Sequence, residues 1–191
     1  MNTHGLVQYL SAIHPLSDDF VLALKKELIQ LTFPKYHHLL EALRISDYAY
    51  FLNSGFAMAY TFHEGNKVTE TFWKPRQVVM STMSFFEQIP SMESIQLMEK
   101  SEVLCISYAG VHRLFSKYPE ALHLFRIIMN RHYEESRTRI HEIKRLSASK
   151  RFEKLLVVYP GIEQCIPQDC IASYLGITPQ SLSRLKRHDG S

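Results

Sequence analysis

The residues best suited to recognising another molecule lie near the C-terminus, in the stretch IASYLGITPQSLSRLKR that spans residues 171–187. Gln180, Ser181, Arg184 and Arg187 recur at the spacing that places side chains on one face of a helix. In the major groove of DNA, Gln can form two hydrogen bonds with adenine and Arg two with guanine. Hydroxyl and basic side chains suit phosphate oxygens. The predicted DNA-contacting residues are Thr178, Gln180, Ser181, Ser183, Arg184, Lys186 and Arg187.

The residues around this face have the pattern of a helix-turn-helix. Ala172 lets two helices cross closely, and Gly176 can adopt the positive φ of a tight turn. Thr178 can cap the second helix, and Pro179 takes its first position, where a missing N–H costs nothing. The apolar positions that would hold the two helices together are Ile171, Leu175, Ile177, Leu182 and Leu185. The alternative is an ordinary helical hairpin with a solvent-exposed basic end.

Ahead of this segment, residues 119–146 predict one long helix. It contains no Gly, and its only Pro is the first residue, Pro119. A seam at three- and four-residue spacing is apolar at both ends and polar in the middle. The seam consists of Leu122, Phe125, Met129, His132, Ser136, Arg139, Ile143 and Leu146. Two interpretations remain open: a helix packed on the rest of its own chain, and a partly coiled-coil dimer helix.

Residues 35–107 have a different composition, which is rich in the aromatic and β-branched residues that favour strands. The apolar runs break at residues 53–55 and at residues 63–67, where a Gly-Asn turn predicts a β-hairpin. Residues 94–107 predict two further strands with a turn near residues 99–101. Nearer the N-terminus, the stretch PLSDDFVLALKKELIQLTF (residues 15–33) predicts an opening helix capped by Ser17 or Asp18, with Phe20, Leu24, Leu28 and Leu31 on one face. Short strands at close spacing favour an antiparallel β-barrel or jelly roll.

The order of sensor, long helix and helix-turn-helix resembles the Crp/Fnr transcription regulators, relatives of the cyclic-AMP receptor protein. IASYLGITPQSLSRLKR is similar to their helix-turn-helix, and SASKRFEKLLVVYP resembles the helix that opens their DNA-binding domain. The resemblance implies an α+β chain with a cyclic-nucleotide-binding-like sensor at 1–115, a dimerisation helix at 116–146 and an all-α DNA-binding domain at 147–191. It also implies a homodimer on double-stranded DNA. Only HDGS follows Arg187, so we expect little or no wing.

The sensor departs from the family at the loop that would hold a cyclic phosphate. Cyclic-nucleotide members carry Gly-Glu, a spacer, then Arg with Ser or Thr and Ala. Here Ser81-Thr82 and Met92-Glu93-Ser94 stand in those places, so the cation is missing and a carboxylate takes its neighbourhood. We therefore expect no cyclic-AMP binding in the family's manner. The candidate effector pocket is Ser81, Thr82, Met92, Glu93, Ser94, His132, Tyr133 and Ser136, with the last three on the long helix.

Other function classes are disfavoured by what the sequence contains. There is no P-loop, no GxSxG, no HExxH and no Rossmann glycine pattern, and the ten histidines lack zinc-like spacing. We expect a non-enzyme with no metal and no cofactor. The three cysteines without CxxC spacing and the lack of a signal-peptide pattern favour the cytoplasm. The alternatives kept open are a ligand-binding sensor with a vestigial DNA-binding domain and a metal-dependent cupin-like enzyme.

Overall fold

The computed structural model describes residues 1–188 of the chain. Eight strands are present: β1 Ile29–Phe33, β2 His38–Leu40, β3 Tyr48–Ser54, β4 Ala57–His63, β5 Asn66–Trp73, β6 Val78–Val79, β7 Ser94–Leu97 and β8 Ser101–Ser107. The helices are α1 His4–Ser11, α2 Asp18–Glu27, α3 Thr82–Glu87, α4 Tyr108–Lys117, α5 Pro119–Arg145, α6 Ala148–Val158, α7 Ile162–Cys165, α8 Gln168–Leu175 and α9 Pro179–His188.

The strands form two four-stranded antiparallel sheets. The first sheet has the order β1-β8-β3-β6, and the second sheet has the order β2-β7-β4-β5. Apolar side chains between them, including Leu52, Ile95 and Val103, are fully buried. The predicted jelly roll is confirmed in the form of two facing sheets. The hairpin predicted around residues 63–67 is the β4–β5 pair, with Glu64 and Gly65 at positive φ in its turn.

Strands β7 and β8 are both predicted by the sequence, but they do not pair with each other. β7 lies in the second sheet against β2 and β4, whereas β8 lies in the first sheet between β1 and β3. The turn near residues 99–101 is therefore a crossing from one sheet to the other. Gly55 approaches this crossing so closely that a Cβ there would lie 2.0 Å from the Ser101 hydroxyl oxygen.

The predicted opening helix is shorter than its apolar pattern suggests. Ser17 caps α2 by accepting a hydrogen bond from the Phe20 N–H at 3.2 Å, but the helix ends at Glu27. Leu31 belongs to β1, where it pairs with Val103 of β8 and is 38% exposed. The extension of the helix to residue 33 was therefore wrong, because ladder pairing with β8 overrides the helical spacing of the leucines.

The long helix predicted for residues 119–146 is α5, which has 27 residues and is about 40 Å long. Its first half packs through Ala121, Leu124 and Ile128 on α1, α2, α4 and the first sheet. Beyond α5, the helices α6 to α9 pack on the second sheet and share one hydrophobic core with it. Within residues 1–188, no helix is long and apolar enough to cross a membrane.

Candidate nucleic-acid interface and sensor pocket

Helices α8 and α9 form a compact pair around the turn at residues 176–178. Gly176 has φ +66°, in the left-handed region that the sequence pattern predicts. The N–H of Gly176 donates to the Ser173 carbonyl and that of Ile177 to the Ala172 carbonyl, both at 3.0 Å. Ala172 is fully buried, as a close helix crossing requires. The turn therefore fixes how α9 leaves α8.

The start and the inner face of α9 also follow the pattern. The Thr178 side chain accepts a hydrogen bond from the Ser181 N–H at 3.2 Å, and Pro179 takes the first helical position. Leu182 is fully buried in the core shared with the second sheet, and Leu185 is partly buried. Because one face is held by this core, the opposite face points away from the protein.

The outward face of α9 carries the chemistry that the sequence predicts. Gln180, Arg184 and Arg187 are exposed, and Ser181 and Ser183 are partly exposed. The Arg187 guanidinium lies 3.4 Å from the Ser183 hydroxyl oxygen. Thr178, at the head of the helix, is exposed as well. An amide, two guanidinium groups and three hydroxyls thus lie along one side of α9 and its cap.

Lys186 differs from the other predicted contact residues. Its ammonium forms an ion pair with the Glu163 carboxylate of α7, and its side chain is only 24% exposed. Lys186 is therefore directed toward the helical core of its own chain. The short helix α7 was not predicted, so this partner could not be anticipated from the sequence pattern.

The second sheet positions the helix-turn-helix directly. Phe72 of β5 and Met58 of β4 lie in the same buried cluster as Ile171 and Leu175 of α8. The Thr69 N–H donates to the Ser173 hydroxyl at 3.0 Å, so α8 completes a hydrogen bond at the sheet edge. The Tyr159 hydroxyl of α6 donates to the Phe72 carbonyl at 3.1 Å. A displacement of β5 would consequently move α8 and with it α9.

Two arginines tie the long helix to this assembly, and sequence reasoning missed both. Arg139 of α5 donates to the backbone carbonyls of Glu70, Thr69 and Tyr174, and its guanidinium lies 4.1 Å from the centre of the Tyr174 ring. Arg139 therefore joins α5, β5 and α8. The sequence pattern had placed Arg139 at the end of the polar middle of the long helix's seam, and a cation next to the apolar seam position Ile143 was the available signal.

Arg151 of α6 makes the second connection. It donates to the Leu175 carbonyl through two nitrogens, at 2.9 and 3.1 Å, and to the Leu146 carbonyl at 2.6 Å. These carbonyls lie at the C-terminal ends of α8 and α5, where helix carbonyls lack internal partners and carry partial negative charge. Arg151 thereby fixes the turn of the helix-turn-helix to the end of the long helix.

Serine hydroxyls within the sensor loop bond to groups of the sensor itself. The Ser81 and Ser91 hydroxyl oxygens are 3.1 Å apart, and Ser91 also donates to the Glu93 carbonyl at 2.8 Å and accepts from the Glu93 N–H at 3.1 Å. Ser94 accepts from the Ala42 N–H at 3.0 Å. Groups that could meet a phosphate are thus engaged inside the protein.

Glu93 places a carboxyl inside this loop. Burial raises its pKa above the usual value, a nearby Glu70 carboxylate raises it further, and a hydrogen bond with the Ser81 hydroxyl opposes the rise. An anionic ligand beside Glu93 would meet repulsion that little water can screen. The expectation that this loop disfavours a cyclic phosphate rests on this geometry as well as on the missing Arg.

The other predicted pocket residues lie apart from that serine cluster. Thr82 and Met92 are exposed, Met92 to 79%. On α5, Tyr133 and Ser136 are exposed, while His132 is partly buried, and burial lowers its pKa. Two pockets of the described residues, one by the 36–50 segment and one beneath α1 and α2, include none of the eight residues. A shared effector pocket made by them stays a prediction.

Metal ligands do not cluster in the described part of the chain. Residues 1–188 contain no group of three or more His, Cys, Asp or Glu side chains placed to hold an ion. The three cysteines carry free thiols, and burial raises the pKa of each. The predicted lack of a wing concerns residues 189–191 and lies outside the described residues.

Comparison with known proteins identifies the fold. No protein-family model and no curated protein sequence matches the chain. Among solved structures, a protein of Eubacterium rectale named as a transcriptional regulator of the crp/fnr family superposes with a TM-score of 0.74 at 16% identity, covering 95% of this chain and 87% of the other. FixK2 of Bradyrhizobium japonicum gives a TM-score of 0.73 at 13% identity, over 84% of this chain and 83% of FixK2.

A third structure extends the comparison across both parts of the chain. CLP of Xanthomonas campestris, described as a c-di-GMP responsive global regulator, gives a TM-score of 0.71 at 12% identity and covers 91% of this chain and 93% of its own. The three matches cover between 84% and 95% of this chain. The protein therefore has the Crp/Fnr-like fold that the sequence resemblance predicts.

Proposed function

We propose that this protein is a sequence-specific DNA-binding transcription regulator of Crp/Fnr type and not an enzyme. The observation that supports it most directly is α9. Its Leu182 side is locked into a buried core, while Gln180, Arg184 and Arg187 face outward from a helix with a fixed exit angle. A recognition helix in the major groove needs this combination of a rigid base and an exposed polar face.

The contacts divide by chemistry. Gln180 and Arg184 read base edges, because an amide and a guanidinium can each form two parallel hydrogen bonds there. Thr178, Ser181, Ser183 and Arg187 contact phosphate and set the register of the helix on the duplex. Lys186 contributes least of the seven, since a phosphate contact would compete with its ion pair to Glu163.

The active form is a homodimer paired along α5. Two copies related by a two-fold axis would place their α9 helices in successive major grooves, roughly 34 Å apart on a palindromic site. Affinity then depends on the separation and tilt of the two helices.

Regulation acts through the contacts between β5, α5 and α8. An effector that favours one position of the second sheet would carry α8 with it through Arg139 and the Thr69–Ser173 hydrogen bond. The half-site spacing would change accordingly, and the DNA-competent population would rise or fall. Cyclic AMP is not that effector in the family's manner, because the loop at 81–94 presents Glu93 and engaged serines where a phosphate needs a cation.

The test is selection of binding sites from random duplex DNA, followed by Arg184→Ala. We expect the native protein to select a palindrome and to bind it with a steep salt dependence. Arg184→Ala should cost about 1–3 kcal/mol at one symmetric base position and relax the preference there. Arg44→Ala removes the same charge from an exposed site of the sensor and should leave the selected sequence unchanged.

Three outcomes would contradict parts of this proposal. An unchanged preference in Arg184→Ala would remove that residue from base reading. No selected sequence and a flat salt dependence would favour a sensor whose DNA-binding domain is vestigial. Adding cyclic AMP should leave the DNA affinity as it is, and a micromolar midpoint in that titration, with phosphate located on the 81–94 loop, would refute the statement about the effector.

A further inference from the structure

An apolar cavity of about 140 Å³ lies on the outer side of the first sheet, beneath α1 and α2. Leu6 and Leu10 of α1, Phe51 of β3 and Leu104 of β8 line it. Ala121 of α5 lines it as well. The cavity borders the 81–94 stretch through Phe85 and Phe86 of α3, but none of its lining residues belongs to the predicted effector pocket.

The lining gives water nothing to bond with. It consists of aliphatic and aromatic side chains, apart from Tyr50, whose hydroxyl lies 3.4 Å from the Leu39 carbonyl oxygen. A buried water needs two to four polar partners, and apolar cavities of roughly 150 Å³ stay dry and accept benzene or xenon. The volume here is of that size.

The cavity is only partly enclosed. Phe86 of α3, Phe115 of α4 and Phe125 of α5 line it and are partly buried, whereas Phe51 and Leu104 are almost inaccessible. The ring centres of Phe86 and Phe125 are 4.4 Å apart, and those of Phe115 and Phe125 are 5.5 Å apart. Rotation of these aromatic side chains would open a path for a small guest without unfolding a strand.

We propose that this cavity is a binding site for a small apolar molecule of about the size of benzene. Such a molecule would touch the first sheet, α3, α4 and α5 together, so its site adjoins the long helix. Binding would be driven by burial of hydrocarbon surface and would tolerate no polar group facing the lining. The claim concerns binding alone and holds whether or not the chain recognises DNA.

The test uses the full chain with xenon and benzene as probes. Crystals pressurised with xenon should show a peak inside the cavity, and benzene in solution should raise the thermal unfolding midpoint in a concentration-dependent way. Phenol has the same ring with one hydroxyl and should bind at least tenfold more weakly. Ala121→Leu adds three carbons into the cavity and should abolish the xenon peak. Ala109→Leu makes the same change at an exposed position of α4 and should retain it.

Specific results would overturn the proposal. They are the absence of xenon from this cavity in the native chain, a peak that survives Ala121→Leu, and phenol binding as tightly as benzene. If Ala121→Leu fails to fold, the comparison of benzene with phenol in the native chain decides. Since no DNA enters the experiment, a negative result leaves the proposed regulator function standing.

Discussion

At the scale of single residues, Glu93 is the most informative side chain of the sensor. It stands next to the place where nucleotide-binding relatives are expected to carry an arginine, and its carboxyl is held inside the protein beside Ser81. Burial raises its pKa, and the Glu70 carboxylate adds to the rise. The ionised form of this carboxyl is therefore a charge that its surroundings solvate poorly.

We predict that Glu93→Gln stabilises the protein at pH 7. A carboxyl with a raised pKa binds its proton more tightly in the folded than in the unfolded chain, so its contribution to stability grows as pH falls from the raised pKa toward the ordinary value of 4.5. The advantage of Gln should consequently shrink as the pH approaches 4.5. Thermal unfolding midpoints of both proteins across this range measure it.

Glu87→Gln is the matched control, because Glu87 is exposed at the end of α3. It should change stability little at either pH. Equal effects of the two substitutions, or a Glu93→Gln advantage that grows as the pH falls, would contradict the assignment of a poorly solvated carboxylate to Glu93.

At the scale of single residues, part of the chemistry of the 81–94 loop could be predicted from the sequence. The absence of an Arg at position 92 and the presence of Glu93 could be read directly, because they are residue types. The bonds that Ser81, Ser91 and Ser94 form within the sensor could not, since a hydroxyl has no spacing that announces its partner.

At the scale of elements, Arg139 joins three of them. Its guanidinium satisfies carbonyls of β5 and α8 from a position on α5. We predict that Arg139→Met, which keeps most of the length and removes the donors, lowers the free energy of unfolding by about 2–3 kcal/mol, because charged hydrogen bonds are lost and carbonyls are left without partners. Urea unfolding measures the loss, and faster amide hydrogen exchange in β5 and α8 should accompany it.

Arg137→Met provides the comparison on the same helix. Arg137 pairs with Glu134 at 3.5 Å, and both side chains are more than half exposed, so the change should cost less than about 1 kcal/mol. If both variants lose the same stability, or if exchange in β5 and α8 is unaffected by Arg139→Met, Arg139 does not connect the elements as described.

Elements with strong local signals were predictable, and those set by distant partners were not. The pattern of Ala172, Gly176, Thr178 and Pro179 fixed α8 and α9 because caps and turns depend on neighbouring residues. Leu31 was assigned to a helix because its pairing with β8 lies more than 70 residues away in the chain. The three- and four-residue spacing along α5 was visible in the sequence. Which side of the helix packs on its own chain depends on the elements around it, and the spacing does not contain that information.

At the scale of the whole molecule, the second sheet and the C-terminal helices form one packed body. Phe72 and Met58 from the sheet are as deeply buried as Ile171 and Leu182 from the helices. Packed interiors are close to crystal density and move as units rather than deforming smoothly. Helix α9 is thus coupled to the second sheet within one chain, and in the proposed dimer α5 is the surface through which two chains would be coupled.

In the proposed dimer, the exposed side of α5 is the surface on which a second copy would pack. Leu122, Tyr133, Ile140 and Ile143 are between 43% and 63% exposed. Arg126, the partly buried Met129 and Ser136 lie between these four residues. The seven positions follow one another at alternating four- and three-residue spacing, as in a coiled-coil seam. His132 and Arg139, which the sequence pattern had assigned to the seam, turn instead toward the protein. Ser136 is a polar residue in the middle of the seam. Such a residue favours the one alignment of two helices in which it meets its own copy.

We predict that Ile140→Glu converts a homodimer into monomers. Two glutamates would face each other near the two-fold axis, so the loss of apolar burial and the repulsion together should raise the dimer dissociation constant by about 100-fold or more. Sedimentation equilibrium of both proteins gives the constants directly. Val157→Glu introduces the same charge at a site on α6 that is 78% exposed and should leave the dimer intact.

A native protein that sediments as a monomer at tens of micromolar, or an Ile140→Glu protein that dimerises normally, would rule out pairing along α5. Either result would also rule out the two-fold geometry that a palindromic site requires.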